Sequence, residues 1–116
     1  MKRLTAIVPC FNEQEVLPLF YDEIVRVADL MRNEVEFEVI FINDGSTDNS
    51  LDILEKFAKS DERIRIISQE NKGLGATKNV GLRHVNGEYV FFVDSDDYIA
   101  LDALEKLYEN SQSNTT

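Results

Sequence analysis

The sequence is poor in cysteine, histidine and basic residues, and each shortage excludes a class of function. Cys10 is the only cysteine of 116 residues, which rules out a disulfide scaffold and a cysteine-based zinc site. It follows an apolar stretch, sits beside Phe11 and has no neighbouring base, so it reads as a small packing residue. His84, the only histidine, falls late in a helical segment and reads as a surface group or a partner for the helix C-terminus. Lysine and arginine number 12 against 22 acids, a formal charge of -10 that argues against a nucleic-acid or anionic-membrane surface. An anionic ligand would have to arrive with a cation. No apolar run approaches the roughly 20 residues of a membrane span, and the first residues lack a signal-peptide pattern. The expected location is cytoplasmic, with membrane attachment of a longer parent protein left open. Low-complexity blocks, linkers and internal repeats are absent, and a hydrophobic content of 43% fits one globular domain.

What is present is a regular βα beat. Leu4 to Pro9 reads as a first strand, followed by Leu17, Phe20, Ile24, Val27 and Met31 at helical spacing, with Pro18 in the first turn. Phe37 to Ile42 is a second strand that ends in the turn Asn43 to Asp48. Leu51, Leu54, Phe57 and Ala58 mark a second helix, and Arg63 to Ser68 a third strand. The segment from Gly73 to Val85 is expected to be a helix whose small residues Gly73, Gly75, Ala76 and Gly81 allow close approach to a sheet or ligand. After an Asn86-Gly87 turn, Tyr89 to Val93 forms a fourth strand, and Leu101, Leu104, Leu107 and Tyr108 a last helix. Residues 110–116 read as a polar tail.

Alternating strands and helices require parallel pairing through right-handed crossovers. The expected fold is α/β, a Rossmann-like, mainly parallel sheet of about four strands in the order 3-2-1-4 with helices on both faces. That order sets the ends of strands one and four at the switch point, where ligands bind. Phe11, Asn12 and Glu13 would then face the cluster Asp94, Asp96 and Asp97, with Asp44 one strand further along. Strand four would be an edge without a protecting charge or proline. Either the sheet continues in a larger protein, or two copies pair as a homodimer through Tyr89–Val93.

Three carboxylates in the run Asp94-Ser95-Asp96-Asp97 repel one another, and a bound divalent cation offsets that cost. Hard oxygen donors suit Mg²⁺ or Mn²⁺. The plainer alternative is an acidic turn capping the following helix. Asp44 and Glu13 have comparable alternatives, Asp44 as a cap for the helix after Gly45-Ser46-Thr47 and Glu13 as a first-turn acid. Gly73 and Gly75 suggest a dinucleotide fingerprint only weakly, because Lys78 occupies the third glycine position.

Four segments in this order resemble the N-terminal half of the family 2 glycosyltransferases, which have the GT-A fold. They are Ile7 to Glu15, Val39 to Asp48, Asn71 to Leu82 and Gly87 to Tyr98. The resemblance implies that Pro9, Phe11 and Glu13 line the base and ribose of a nucleotide, and that Asp44 hydrogen-bonds the base, commonly uracil. It implies that Asp94 and Asp96 form an Asp-x-Asp motif, with Asp96, Asp94 or Asp97 on a divalent metal, Mg²⁺ or Mn²⁺. Asn71 to Asn79 would border the sugar diphosphate. Thr77 and Lys78 stand where the family often has Ala-Arg, which weakens a cationic role for Lys78.

The implied activity is metal-dependent transfer of a sugar from a nucleotide-sugar donor, commonly a UDP-sugar, to an acceptor hydroxyl with inversion. The acceptor would be a carbohydrate or a lipid-linked molecule. Residues 1–109 would supply donor and metal binding, and no catalytic base is expected in this chain, because the family carries it in an acceptor-binding half. The chain alone is therefore expected to be inactive. A receiver-like signalling module is the competing α/β reading, but strand one ends in Pro9-Cys10-Phe11-Asn12 and strand three in Ser68-Gln69, without the acids that chemistry needs. A third reading is a non-catalytic fragment that dimerises through strand four.

Overall fold

The computed structural model of the chain describes residues 2–33, 35–85, 89–94 and 106. The Asn86-Gly87 turn, the helix expected around Leu101 to Tyr108, the 110–116 tail and the acids Asp96 and Asp97 lie outside the described residues.

The elements run β1 (Lys2–Cys10), α1 (Leu17–Leu30), β2 (Val35–Asp44), α2 (Ser50–Ser60), β3 (Ile64–Gln69), α3 (Leu74–Arg83) and β4 (Tyr89–Phe92). All pairings are parallel, as the crossover argument requires, and the sheet order is the expected β3-β2-β1-β4. The receiver reading fails here, since that topology sets the third strand beside the first. Among the described residues β4 is outermost, and Val93 continues its ladder by donating its amide to the Ile7 carbonyl (3.1 Å).

Strand alternation divides the apolar side chains between two faces. Ala6, Val8 and Cys10 of β1, Phe37, Val39 and Phe41 of β2, Ile64 of β3 and Val93 after β4 form one core with Leu17, Phe20, Ile24 and Val27 of α1 and Leu54 of α2. Phe20 meets Phe41 edge-on at 6.0 Å. Tyr21 stacks on Phe57 at 4.1 Å, joining α1 to α2. The opposite face is smaller, with Ile7, Ile40 and Ile42 under Ile67, Val85 and Val90. Helix α3 lies there. The expected helices on both faces are therefore present.

Two features differ from the sequence reading. Asn43 and Asp44 belong to β2 and not to the turn after it, because β2 stays paired with β3 through Asn43↔Ser68 and Asp44↔Gln69. The small residues of α3 are also unequal. A Cβ at Gly81 would stand 2.6 Å from Ile7 Cγ2 and 2.9 Å from Ile42 Cδ1, so Gly81 is where the helix touches the sheet. A Cβ at Gly75 would meet nothing within 4 Å.

At the far end of α1, Arg63 donates to Asp61 (2.6 Å) and to Asp29 (3.0 Å), tying the start of β3 to the helix. The Arg63 guanidinium holds Asp61 below the usual carboxylate range.

Gly81→Ala is expected to destabilise the chain by about 1–3 kcal/mol, overriding alanine's advantage in a helix, because the β-branched Ile7 cannot retreat. Gly75→Ala is expected to be neutral or stabilising. Urea unfolding of both variants checks the contrast.

Candidate functional site

The β1 and β2 ladders end together at Cys10↔Asn43, so the loops after them emerge at one level. The chain after β4 emerges beside β1, since Leu4 to Ile7 pair with Tyr89 to Phe92. A crevice of about 350 Å³ opens where these ends meet, lined by Pro9, Cys10, Phe11, Glu13, Asp44, Asn71, Gly73, Thr77 and Asp94. Five of the predicted nucleotide residues, Pro9, Phe11, Glu13, Asp44 and Asp94, thus share one cavity. A hollow of about 510 Å³ lies at the other end of the sheet among Arg3, Arg32, Glu36, Glu62 and Arg63, away from all of them.

Asp44 is 6% exposed, and both of its carboxylate oxygens accept hydrogen bonds from its own protein. Gln69 Nε2 and the Lys72 amide donate to Oδ1 (3.0 and 2.8 Å), and the Gly73 amide donates to Oδ2 (3.1 Å). Burial pushes the carboxyl up, but these donors outweigh it and hold Asp44 below the ordinary carboxylate range. Asp44 is therefore an ionised acceptor at the crevice wall. Asp44 does not cap the helix that follows it, as the alternative held, but anchors the loop that enters α3. The acid at the start of α2 is Asp48, whose Oδ1 accepts the Ser50 amide (2.9 Å).

Glycine is required beside Asp44. Gly45 has φ +72°, and a Cβ there would stand 2.7 Å from the Asn71 backbone nitrogen. The loops after β2 and β3 close on each other only because that side chain is missing. Thr77, fully buried, completes the wall: its hydroxyl donates to the Gly73 carbonyl (2.7 Å) and accepts from Gln69 Nε2 (3.2 Å).

On the β1 side Phe11 is 46% exposed and lines the crevice. Glu13 is half-buried and Asp94 exposed at the rim. Asn12 departs from expectation. Its carboxamide accepts the Thr47 amide (2.8 Å), and Asn12 is not among the residues that line the crevice.

Three carboxylates, Glu13, Asp44 and Asp94, line the crevice, and among the described residues no lysine, arginine or histidine does. Among the described residues no three metal-binding side chains converge either. Asp94 is the one member of the acidic cluster that is described, together with the backbone but not the side chain of Lys78. Cys10 is buried, with its thiol 3.6 Å from the Val8 carbonyl, in keeping with a packing role at the crevice floor. His84 is exposed after α3, its Nδ1 3.0 Å from the Val80 carbonyl oxygen.

Residues 5–116 match the family model for glycosyl transferase family 2. The chain belongs to glycosyltransferase family 2. It is 42% identical over 107 residues to glycosyltransferase GlyA of Streptococcus pneumoniae, covering 92% of this chain and 15% of that protein. Among solved structures it resembles the mannosyltransferase PcManGT of Pyrobaculum calidifontis, in complex with GDP-Man and Mn²⁺, with a TM-score of 0.74 and 28% identity over 90% of this chain and 30% of that one. It also resembles TarS of S. aureus in complex with UDP, with a TM-score of 0.71 and 33% identity over 94% of this chain and 32% of that one. The chain spans about a third or less of these relatives. Their shared architecture is GT-A, of which this family 2 chain contains the four-stranded part with order 3-2-1-4.

Sequence reasoning missed the residues that hold this site without lining it, chiefly Gln69, Ser46, Asp48 and Ser50. The turn Asp44-Gly45-Ser46-Thr47-Asp48 signalled hydrogen-bonding side chains, but not that they would serve a different loop.

Because the folded-state value of Asp44 is depressed, its contribution to stability is present above the unfolded value near pH ~4 and is lost as pH falls through the folded value. Asp48 is depressed too, with burial again opposed by hydrogen bonds from Ser50 and Gln14. Asp44→Asn is expected to cost about 1–3 kcal/mol at neutral pH and to flatten the acid limb of the stability curve, read by urea unfolding between about pH 7 and pH 3.

Proposed function

We propose that the crevice binds the nucleotide diphosphate of a sugar donor together with a divalent cation, and that the parent protein transfers the sugar to an acceptor hydroxyl with inversion. One observation carries the reading: an exposed aromatic and an ionised acceptor share a cavity whose described lining bears carboxylates and no cationic side chain. A neutral base suits Phe11 and Asp44. A diphosphate suits such a lining only when a metal accompanies it.

In this reading the base stacks against Phe11 and donates an N–H to Asp44, while Pro9 and Glu13 border the ribose. The glycine-bearing start of α3 faces the diphosphate, with Lys78 near it. Asp94, Asp96 and Asp97 hold Mg²⁺ or Mn²⁺, for which carboxylate oxygens are suitable hard donors and which needs few protein ligands when phosphates complete its shell. The bound ion would stabilise the negative charge that develops on the leaving diphosphate. Asp94, exposed at the crevice, is available for this. PcManGT with GDP-Man and Mn²⁺ and TarS with UDP support the ligand class, and a uridine nucleotide is the first choice. The general base belongs to the part of the relatives that this chain does not span.

Calorimetric titration of UDP, with GDP in parallel, tests this in Mn²⁺ and in EDTA. Binding is expected only with the metal, and Asp96→Ala and Asp94→Ala are each expected to weaken it by about tenfold or more. Equal affinity in EDTA would refute the metal-dependent reading.

A further inference from the structure

The loop after β1 carries a residue in a conformation that side chains seldom adopt. Asn12 has φ +52°, in the left-handed region, and among the described residues it is the one non-glycine residue with positive φ. Asparagine is among the few types that occupy it at low cost. In that conformation Asn12 Oδ1 accepts from the amides of Thr47 (2.8 Å) and Asp48 (3.3 Å), while its own amide donates to Ser46 Oγ (2.9 Å). The stitching continues past it. The Glu13 amide donates to Ser50 Oγ (2.8 Å), the Gln14 amide to Asp48 Oδ2 (3.3 Å), and the Asn49 amide to Gln14 Oε1 (2.9 Å).

Six backbone amides thus donate hydrogen bonds between residues 12–14 and residues 46–50, three from each side, and the Thr47 hydroxyl adds a seventh bond to Asn12 Oδ1 (3.4 Å). Phe11 and Glu13 flank Asn12, and both line the crevice. Neither Ser46, Asp48 nor Ser50 does. The clamp therefore acts on the β1 wall of the crevice from outside it.

We infer that Asn12 is a positioning residue, which locks the β1 loop onto the β2 loop and so sets Phe11 and Glu13 for the ligand. The functional part of this inference rests on the nucleotide reading above, whereas the clamp itself can be tested without any ligand. Its left-handed backbone and its carboxamide act together. Glycine would keep the first and lose the second, and aspartate would keep an acceptor oxygen with the same backbone tolerance.

Amide hydrogen exchange of the ligand-free 116-residue chain, compared among wild type, Asn12→Gly, Asn12→Asp and Ser50→Ala, tests the clamp. Asn12→Gly is expected to raise exchange by about tenfold or more at Thr47 and Asp48, and also at Glu13, Gln14 and Asn49, whose partners are unchanged. Ile40 and Phe41 in β2 should keep their protection, and Asn12→Asp should restore most of it at the loops. Ser50→Ala loosens the clamp from its other side and should expose Glu13 and Gln14 with Asn12 intact. Faster exchange confined to Thr47 and Asp48 would reduce Asn12 to a local cap and overturn the inference. A uniform rise through β2 would overturn it as well, as general destabilisation. UDP titration then addresses the functional part: weaker binding by Asn12→Gly, rescued by Asn12→Asp, is the expected result, and unchanged binding despite an opened clamp overturns the positioning role. If wild type itself failed to bind UDP with Mn²⁺, the nucleotide reading and the positioning role would both fall, while the exchange result would still decide whether the clamp exists.

Discussion

The parallel pairing of β1 with β2 is the constraint on which the rest of this chain depends. Their ladder runs in register from Lys2↔Val35 to Cys10↔Asn43, so two loops of different sequence leave the sheet at the same height. Parallel strands cannot be joined by a tight turn, so a helix must cross over between them, and all the strand ends that carry polar groups collect at one edge. Burial of Ile7, Ile40 and Ile42 on one face, and of Val8, Val39 and Phe41 on the other, fixes the register, since a one-residue slip would exchange the two faces. The crevice inherits its precision from that core.

Above the core, polar interactions determine the shape of the site. The Asp44 carboxylate gathers the loop after β3, the missing side chain at Gly45 lets that loop approach, and the Asn12 clamp gathers the loop after β1. The same carboxylate that would meet a ligand is therefore part of the scaffold. Its hydrogen bonds keep it ionised, so an N–H donor would find an acceptor with little reorganisation. Preorganisation of this kind explains why a crevice with so much negative charge can retain its form.

Much of this was legible in the sequence, for reasons that differ by element. Strand order followed from the βα alternation, and the crevice from the rule that ligands sit at strand C-terminal ends. Phe11, Glu13, Asp44 and Asp94 were placed by their positions just past apolar runs, and Pro9 by the family resemblance. What periodicity could not supply was the partner of each polar side chain. Asp44 reads locally as a cap for the next helix, but its donors come from 25 to 29 residues later in the chain. Asn12, expected to face the acids, has a left-handed backbone, and its carboxamide accepts the Thr47 amide. Gly81 and Gly75 look alike in sequence, and only packing separates the one against Ile7 from the one facing open space.

The central claim is that a nucleotide and a divalent ion occupy the crevice at the ends of β1, β2 and β4. Paramagnetic broadening of backbone amide resonances by Mn²⁺, recorded on the chain with UDP present, tests it most directly because it reports position as well as binding. The account predicts that broadening centres on Asp94 and extends to Phe11, Asn71 and Gly73, while Arg3, Arg32 and Arg63 at the opposite end of the sheet stay sharp. Broadening centred on that opposite end, or none beyond what free Mn²⁺ causes, would contradict it.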